Sequence, residues 1–317
     1  MTLRKDRDAM TTSEKVWEIP EPLAVHEVRM EDGTVIIQRR HGNPAGPRLV
    51  LSHGNGLAID LYYPFWSLLA EDFDLILYDL RNHGWNPLGP QRGHNLPSFV
   101  DDHDHILEVI DREYGEKPKT GLFHSVSALT SLLSPTQGSG FAARVLFDPP
   151  VCKPDDYPEE FDVATRRCME MTLRRSERFN SIDECVDFLR YMPAFSRVVP
   201  GVHDLFARTT LRESESGEGY ELRCPRDYEA QIINHARAFA VWVDLENLRC
   251  PTKVIGADPM LPYSFLPTFD LSHISTMDYD FLPETTHFLQ IEQPEECVKV
   301  VREFLEFHDL MDPGMHG

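Results

Sequence analysis

A serine in a turn of small residues is the first feature of this sequence that could do chemistry. Ser125 lies in Gly121-Leu122-Phe123-His124-Ser125-Val126-Ser127-Ala128, where a short apolar stretch runs into the turn. A serine hydroxyl is a poor nucleophile at neutral pH, so it needs a base within hydrogen-bond reach and an acid that orients the base. We therefore expect partners for Ser125 elsewhere in the chain.

The residues around Ser125 depart in part from the usual nucleophile turn. That turn has glycine two residues before and two residues after the serine, because it leaves little room for side chains. Here these positions hold Phe123 and Ser127. Serine is a small change, whereas phenylalanine is a bulky one that a strained turn must accommodate. Taken alone, the pattern fits a nucleophile and equally an ordinary His-Ser turn after a core strand.

A carboxylate and a histidine follow the serine in a suitable order. Asp258 ends an apolar run from Pro251 that is typical of a buried strand, and His287 lies in a loop between Phe281 and Leu289. The order serine, aspartate, histidine is one of the known orders of a catalytic triad.

Further motifs lie upstream, after two apolar runs typical of buried strands. Five motifs now follow one another: His53-Gly54-Asn55-Gly56, Asp79-x-Arg81-x-His83-Gly84, His124-Ser125-x-Ser127, Gly256-Ala257-Asp258 and Thr286-His287-Phe288. In these motifs and their order, the chain resembles the α/β-hydrolase superfamily from about residue 23 to residue 307, apart from a divergent middle.

The resemblance implies a role for each matching residue. Ser125 would be the nucleophile, and His287 would be the general base and then the general acid. The backbone N–H groups of Val126 and Asn55 would form an oxyanion hole, in which the loss of one donor typically costs about 2.7–4 kcal/mol of barrier. No cofactor and no metal is expected. Asp79, Arg81, His83, His53 and His124 are expected to brace the turns rather than to react.

Two aspartates compete for the role of the acid. Asp258 is preferred, although related sequences usually place the acid slightly later after the strand's glycine. Asp148, in Leu146-Phe147-Asp148-Pro149-Pro150, is the alternative, because some members of the superfamily take the acid from the end of that earlier strand. If neither aspartate reaches His287, the machinery is a dyad.

Strand and helix signals alternate along the chain, which predicts a parallel sheet covered on both faces. A hairpin is expected from Leu23–Met30 and Thr34–Arg39 across Asp32-Gly33. Further strands are expected at about 48–52, 73–79, 119–124 and 143–148, with a helix from Ser98 to Tyr114. The resemblance implies an α/β-hydrolase fold, with a mostly parallel eight-stranded sheet flanked by helices and a helical cap inserted after the sixth strand.

The expected divisions follow from this fold. They are a polar N-terminal extension (1–22), a first core part (23–150), a helical cap (151–249), a second core part (250–310) and a tail (311–317). Helices are expected in the cap at Val163–Arg178 and Ser181–Tyr191, the second opened by Ser181 and Glu184 as a capping box. Four cap aromatics are candidates for a substrate pocket, with packing inside the cap as the alternative for each: Phe195, Phe206, Phe239 and Trp242.

The charge balance limits the partners. The chain has 31 Lys and Arg against 52 Asp and Glu, a net charge of −21. Such a field repels phosphate backbones and anionic membranes, so neither nucleic acid nor a membrane is expected as a partner. The expected partner is a small-molecule substrate, and a homo-oligomer stays open. No apolar N-terminal run or long apolar stretch predicts export or a membrane span, and the expected location is the cytoplasm.

Two groups of residues could suggest a metal or a disulfide framework. The 6 cysteines are spread out without a Cys-x-x-Cys pair, which predicts neither a zinc site nor disulfides. Asp101-Asp102-His103-Asp104-His105 has the residue types of a metal box. Adjacent residues on a helix point in different directions, however, so a solvated helix face is the preferred interpretation.

The sequence therefore predicts a serine hydrolase that acts through an acyl-enzyme on a small carboxylic ester, thioester or lactone. A nucleophilic carboxylate, as in dehalogenases and epoxide hydrolases of this fold, is absent at position 125. Two alternatives stay open: a cofactor-free oxygenase, perhydrolase or carbon–carbon bond hydrolase on the same fold, and a non-catalytic protein that binds a small molecule.

Overall fold

The computed structural model describes residues 15–151, 158–261 and 276–311. Its strands are β1 Ala24–Arg29, β2 Val35–Gly42, β3 Arg48–Ser52, β4 Asp74–Tyr78, β5 Lys119–His124, β6 Ala143–Phe147, β7 Arg178–Phe179, β8 Leu211–Glu213, β9 Tyr220–Leu222, β10 Thr252–Gly256 and β11 Asp278–Phe281. Its α-helices are α1 Tyr63–Trp66, α2 Leu96–Tyr114, α3 Val126–Leu133, α4 Pro158–Arg174, α5 Ile182–Arg190, α6 Val202–Thr210, α7 Arg226–Phe239, α8 Leu289–Glu292 and α9 Pro294–Phe307.

Eight strands form one sheet in the order β1-β2-β4-β3-β5-β6-β10-β11. β2 pairs antiparallel with both β1 and β4, and all the other neighbouring strands are parallel. Every residue of β3, β4, β5 and β6 is buried, as expected for strands covered on both faces. The predicted fold class is confirmed, as are the hairpin, the inner strands and the helix that ends at Tyr114.

Successive residues of the inner strands point to opposite faces and build two apolar layers. Leu49 and Leu51 of β3 belong to one layer together with residues of α1 and α9. Val50 lies between them in sequence and belongs to the other layer, with residues of α2 and α3. α2 begins at a side-chain cap, because the Asn95 Oδ1 accepts a hydrogen bond from the Ser98 N–H at 2.9 Å.

The carboxyl ends of the parallel strands meet at one edge of the sheet. Ser52 lies opposite Phe123, His124 opposite Phe147, and Gly256 opposite Phe281. The residues that follow these strand ends include every predicted triad member. In open α/β sheets this edge is where ligands bind.

The inserted segment, the chain between β6 and β10, contains α4 to α7 and also a three-stranded antiparallel sheet in the order β7-β9-β8. The sequence predicted helices alone here, because strands of two or three residues are too short for an alternating pattern. Ser181 does cap α5, with its Oγ 3.1 Å from the Glu184 N–H. The predicted cap boundaries at 151 and 249 stay a prediction.

Candidate active site

Ser125 and His287 lie within hydrogen-bond reach of each other. The Ser125 Oγ is 2.9 Å from the His287 Nε2. The His287 Nδ1 is 2.5 Å from the Asp148 Oδ2. Because a carboxylate only accepts, the Nδ1 carries the hydrogen and the Nε2 is left to accept the serine proton. The three side chains form a hydrogen-bonded series with the geometry of a serine, histidine and aspartate triad.

The backbone at Ser125 is forced into a conformation that few residues adopt. Its φ is 53° and its ψ is −117°, a region that costs roughly 1–3 kcal/mol and is held only when the surroundings determine it. The neighbouring strand β6 and the helix after Ser125 supply those surroundings: the Ser125 N–H donates to the Phe147 carbonyl of β6 at 2.9 Å, and the Ser125 carbonyl accepts from the Leu129 N–H in α3. The hydroxyl is thereby held at the carboxyl edge of the sheet.

The bulky Phe123 side chain in the serine turn fits because a neighbouring residue of β5 has no side chain. A Cβ added to Gly121, two residues earlier on the same face of β5, would lie 2.4 Å from the Phe123 ring. The absent side chain of Gly121 therefore makes room for this ring, which packs edge-on against Phe141 and His103. The small Ser127 closes the turn, since its Oγ accepts from the His124 N–H and donates to the His124 carbonyl.

The acid contact corrects the sequence-based preference for Asp258. Asp148 directly follows β6, is fully buried and has a positive φ of 41°. The Asp148 Oδ1 also accepts from the Ala257 N–H at 3.2 Å. The alternative acid is therefore the one that contacts His287.

Asp258 has a different task one strand away. Its two carboxylate oxygens accept the backbone N–H groups of Met260 and Glu284, each at 2.8 Å, and these hydrogen bonds hold the pKa of Asp258 below its usual value. Its own N–H donates to the Thr285 carbonyl. Asp258 thus supports the loop that carries His287 through backbone contacts.

We call residues 53–56 the oxyanion turn, after the role that the sequence predicts for it, and the predicted oxyanion donor of this turn is the N–H of Asn55. On either side of it, the Gly54 N–H donates to the Tyr62 hydroxyl at 3.1 Å and the Gly56 N–H to the His83 Nε2 at 3.0 Å. Within the described part of the chain, the N–H groups of Asn55 and Val126 have no acceptor in the protein. These are the two donors that the sequence analysis assigned to the oxyanion hole.

Two positions of this turn require glycine, because neighbouring atoms approach the backbone too closely for a side chain. A Cβ at Gly54 would lie 2.8 Å from the His124 Nδ1 and 3.3 Å from the Ser125 Cβ. Gly56 has a φ of +72°, and a Cβ there would lie 2.0 Å from the Glu229 carboxylate. The oxyanion turn is therefore packed between the serine and α7 of the inserted segment.

The histidines of the motifs brace the oxyanion turn, as predicted. His53 Nδ1–H donates to the Gly54 carbonyl and its Nε2 accepts from the Leu80 N–H. His83 Nδ1–H donates to the Arg81 carbonyl, which leaves its Nε2 to accept from Gly56. Burial lowers the pKa of both His53 and His83 to about 3, so that both rings are neutral near pH 7.

The other motif residues brace the neighbouring turn. The buried Asp79 carboxylate accepts from Arg39, from the Ile59 N–H and from the Trp85 N–H. Arg81 makes a bidentate pair with Asp102 of α2. These contacts confirm the prediction that Asp79 and Arg81 are structural.

Three supporting residues carried no signal for this role in the sequence. Both carboxylate oxygens of Glu292 in α8 accept from Thr286, directly before His287, at 2.6 Å. Tyr62 bonds Gly54, and the Glu229 carbonyl accepts from the Asn55 side chain at 2.9 Å. The three supporting residues lie on different helical segments, and glutamate and tyrosine are ordinary residue types for a helix or a core.

The four cap aromatics separate into two pairs. Phe195 is buried, packs against Phe206 and stacks on Phe288 with ring centroids 4.8 Å apart, next to His287. Phe239 stacks instead on His235 of α7. Trp242 is 76% exposed. Among the described residues, Phe195 therefore contacts the histidine loop and Phe206 packs behind it. Trp242 does not form part of a buried wall.

One buried cluster has the residue types of a metal site. Donor atoms of His83, His94 and Cys224 lie within 4.8 Å of one another. The His83 Nε2 already accepts from the Gly56 N–H, however, and the His94 Nδ1 accepts from the Asn82 amide, so that the His94 Nε2 carries its hydrogen. Both nitrogens of His83 and the Nδ1 of His94 are thus occupied by hydrogen bonds, so the cluster does not fit a metal ion.

The acidic run in α2 has its side chains directed to separate partners. Asp102 pairs with Arg81, the His103 Nδ1 lies 3.0 Å from the Tyr78 hydroxyl, and Asp104 accepts from Ser134. These contacts agree with the argument that neighbouring residues of this helix do not converge, but Asp102 and His103 are buried, so the expectation of a solvated helix face is wrong for these two residues. The five cysteines among the described residues are free thiols, and no helix of the described ranges is long and apolar enough to cross a membrane.

Residues 49–300 match the sequence profile of the Alpha/beta hydrolase family. No curated protein sequence matches the chain.

Several solved structures are similar over nearly their whole length. E-2-(acetamidomethylene)succinate hydrolase has a TM-score of 0.72 at 16% identity, over 89% of this chain and 100% of that one. The thioesterase domain from the curacin biosynthetic pathway has a TM-score of 0.65 at 16% identity, over 88% and 99%. A thermophilic esterase from Thermogutta terrifontis has a TM-score of 0.62 at 18% identity, over 90% and 99%. At these identities the likeness is one of fold.

Proposed function

We propose, from the premise that this chain belongs to the alpha/beta hydrolase family and is an enzyme of that class, that it hydrolyses a small carboxylic ester, thioester or lactone through an acyl-enzyme on Ser125. One observation carries the proposal: the series of hydrogen bonds from Ser125 through His287 to Asp148. Among the described residues, the N–H groups of Val126 and Asn55 have no acceptor, and this supports the same proposal.

The first half of the reaction forms the acyl-enzyme. The Ser125 Oγ attacks the carbonyl carbon of the substrate while the His287 Nε2 takes the hydroxyl proton. The carbonyl oxygen becomes an oxyanion that the N–H groups of Val126 and Asn55 stabilise. The tetrahedral intermediate collapses, the bond to the alcohol, thiol or ring oxygen breaks, and the His287 imidazolium returns its proton to that leaving group.

The second half releases the acid. Water enters, His287 takes one of its protons, and the hydroxide attacks the acyl carbon. Collapse breaks the bond to Ser125, which recovers its proton from His287. Throughout, the Asp148 carboxylate stabilises the imidazolium and holds its tautomer. Phe195 and Phe206, which lie near His287 through Phe288, would line the substrate pocket.

A fluorophosphonate probe tests the proposal without knowledge of the substrate. We expect one adduct per chain by intact mass, mapped to Ser125, and none in Ser125→Ala or His287→Ala. His235→Ala is the matched control, because this half-buried histidine packs against Phe239 on α7 and should leave labelling unchanged. Acid quenching during p-nitrophenyl acetate turnover should then trap an acetyl group on Ser125.

The outcome separates the alternatives. Absence of the adduct in a folded protein contradicts the acyl-enzyme mechanism. A Ser125 adduct without turnover of any ester, thioester or lactone would favour the other chemistries of this fold, or binding without turnover.

A further inference from the structure

Three buried hydrogen bonds join the oxyanion turn to the loop that carries His287. The Gly54 N–H is 3.1 Å from the Tyr62 hydroxyl oxygen. That oxygen is 2.6 Å from the His124 Nδ1. On the other side of the imidazole, the His124 Nε2 is 2.7 Å from the His287 carbonyl oxygen. We call this series the Tyr62–His124 link.

The hydrogen bonds of the Tyr62–His124 link can be oriented, from donor to acceptor, in only one way. A carbonyl oxygen only accepts, so the His124 Nε2 carries the ring hydrogen. Burial, and then the neighbouring His287, hold the pKa of His124 well below its usual value, and the neutral ring has no second hydrogen. The Nδ1 therefore accepts from the Tyr62 hydroxyl, whose oxygen accepts from Gly54. Each donor has one acceptor, and His124 and Tyr62 are almost fully buried.

Packing alone does not account for the polar groups of this link. Tyr62 is 2% exposed within the apolar layer that contains Phe65 and Leu61, where a phenylalanine ring would bury as much surface. A hydroxyl in such a layer is unfavourable unless it is hydrogen-bonded. Its two partners lead to the oxyanion turn on one side and to the histidine loop on the other.

We propose that Tyr62 and His124 are positioning residues that fix the oxyanion turn relative to the catalytic histidine. The inference rests on the proposed function, since it gives the two residues a task only if Ser125 and His287 react. The two parts lie on loops after different strands, β3 and β11, so their relative placement is not set by the local chain. A misplacement of about 1 Å can cost roughly a hundredfold in rate.

The test measures how fast a fluorophosphonate reacts with Ser125 as a function of probe concentration, in Tyr62→Phe, His124→Leu and the double variant. Tyr62→Phe keeps the ring and removes the hydroxyl that bonds Gly54 and His124. We expect the maximal labelling rate to fall about tenfold to a hundredfold in each single variant. The probe concentration at half-maximal rate should stay within about twofold of the wild-type value, and the final labelled fraction should be the same as in the wild type. The double variant should lose no more than the worse single one, because the link is broken once.

Tyr78→Phe is the matched control. The Tyr78 hydroxyl is equally buried and lies 3.0 Å from the Nδ1 of another buried histidine, His103, in the layer on the other face of the sheet. We expect its labelling rate to stay within about twofold of the wild-type rate. A variant that merely fails to fold shows a reduced final fraction rather than a reduced rate.

Two results overturn the proposal in distinguishable ways. Wild-type protein that labels at Ser125, with Tyr62→Phe labelling equally fast or with losses that multiply in the double variant, refutes the positioning role alone. Wild-type protein that does not label refutes the proposed function, and the positioning role falls with it.

Discussion

The two halves of the candidate active site are held in place by different means. The serine half, formed by the Ser125 turn and the oxyanion turn, depends on backbone conformations and on the absence of side chains at Gly54 and Gly56. The histidine half, the loop around His287, depends on carboxylates that reach it from Asp148, Asp258 and Glu292. The first arrangement is local in sequence, whereas the second is assembled from separate loops.

The difference determines which substitutions should be harmful in each half. In the serine half a single added methyl group is the harmful change, because there is no space for it. In the histidine half the harmful change is the loss of a negative charge with the shape retained. The comparison between the two halves can therefore be tested directly.

Replacing the acid should have the largest effect. Asp148→Asn keeps the shape of the side chain but removes the carboxylate that accepts from the His287 Nδ1, and we expect a loss of about 10⁴-fold in kcat from the wrong tautomer. Asp258→Asn is the matched variant one strand away and should cost less than about tenfold, because Asp258 bonds only backbone N–H groups of the loop. Steady-state kinetics on an activated ester measures both.

A larger loss in Asp258→Asn than in Asp148→Asn would reverse the assignment of the acid. Circular dichroism of both variants provides the control for folding.

A methyl group at Gly56 should have the next largest effect. Gly56→Ala combines a left-handed backbone with contact against the Glu229 carboxylate, and we expect a loss of about 3 kcal/mol in the free energy of unfolding, together with slower labelling of Ser125. Gly33→Ala is the control, since Gly33 has a φ of +84° with nothing within 4 Å of its Cβ position. It should cost about 1 kcal/mol and leave labelling unchanged. Urea unfolding measures the two free energies, and equal losses would argue against tight packing at Gly56.

Lowering the pH should destabilise the protein, because several buried histidines are neutral in the folded state. Burial lowers the pKa of His53, His83 and His103 from 6.5 to about 3. Between these values the unfolded chain binds protons that the folded chain does not, so the free energy of unfolding falls as the pH falls through 6.5 and continues to fall towards 3. From pH 7 to pH 6 the loss should be about 0.7 kcal/mol for each such histidine.

Urea unfolding at several pH values measures this dependence. His103→Gln, which lies outside the active site, should reduce the slope by about one proton below pH 6. An unchanged slope would mean that His103 is protonated in the folded protein.

Much of the serine half could be predicted from sequence, because its residues are neighbours in a few short motifs. Ser125, Val126 and Asn55 were assigned from these motifs alone, and the bracing by His53 and His83 was also expected. The histidine half was predicted less well. Asp148 and Asp258 each follow the end of a parallel strand within two residues, and the strands are neighbours in the sheet, so sequence position does not distinguish them. The direction of each side chain does, and it depends on local backbone angles such as the positive φ of Asp148.

Tyr62 and Glu229 could not have been assigned to the site from sequence for a related reason. Tyr62 reaches His124 across 62 residues and Glu229 reaches Asn55 across 174. A tyrosine in an apolar layer and a glutamate on a helix are common. Only the tertiary structure shows what their polar atoms contact.

Helix α7 contacts both the oxyanion turn and a loop of the core, and this limits how the inserted segment can be exchanged. This helix bonds the Asn55 side chain through the Glu229 carbonyl, and it bonds the core loop at Gly89 and His94 through Tyr228 and Gln231. A chimaera that replaced the whole inserted segment to change specificity would remove a neighbour of the oxyanion turn along with the substrate-binding surface. A graft that stops before Arg226 would exchange α4 to α6 and keep α7, but it should retain Arg175, which pairs with the Glu229 carboxylate beside Gly56.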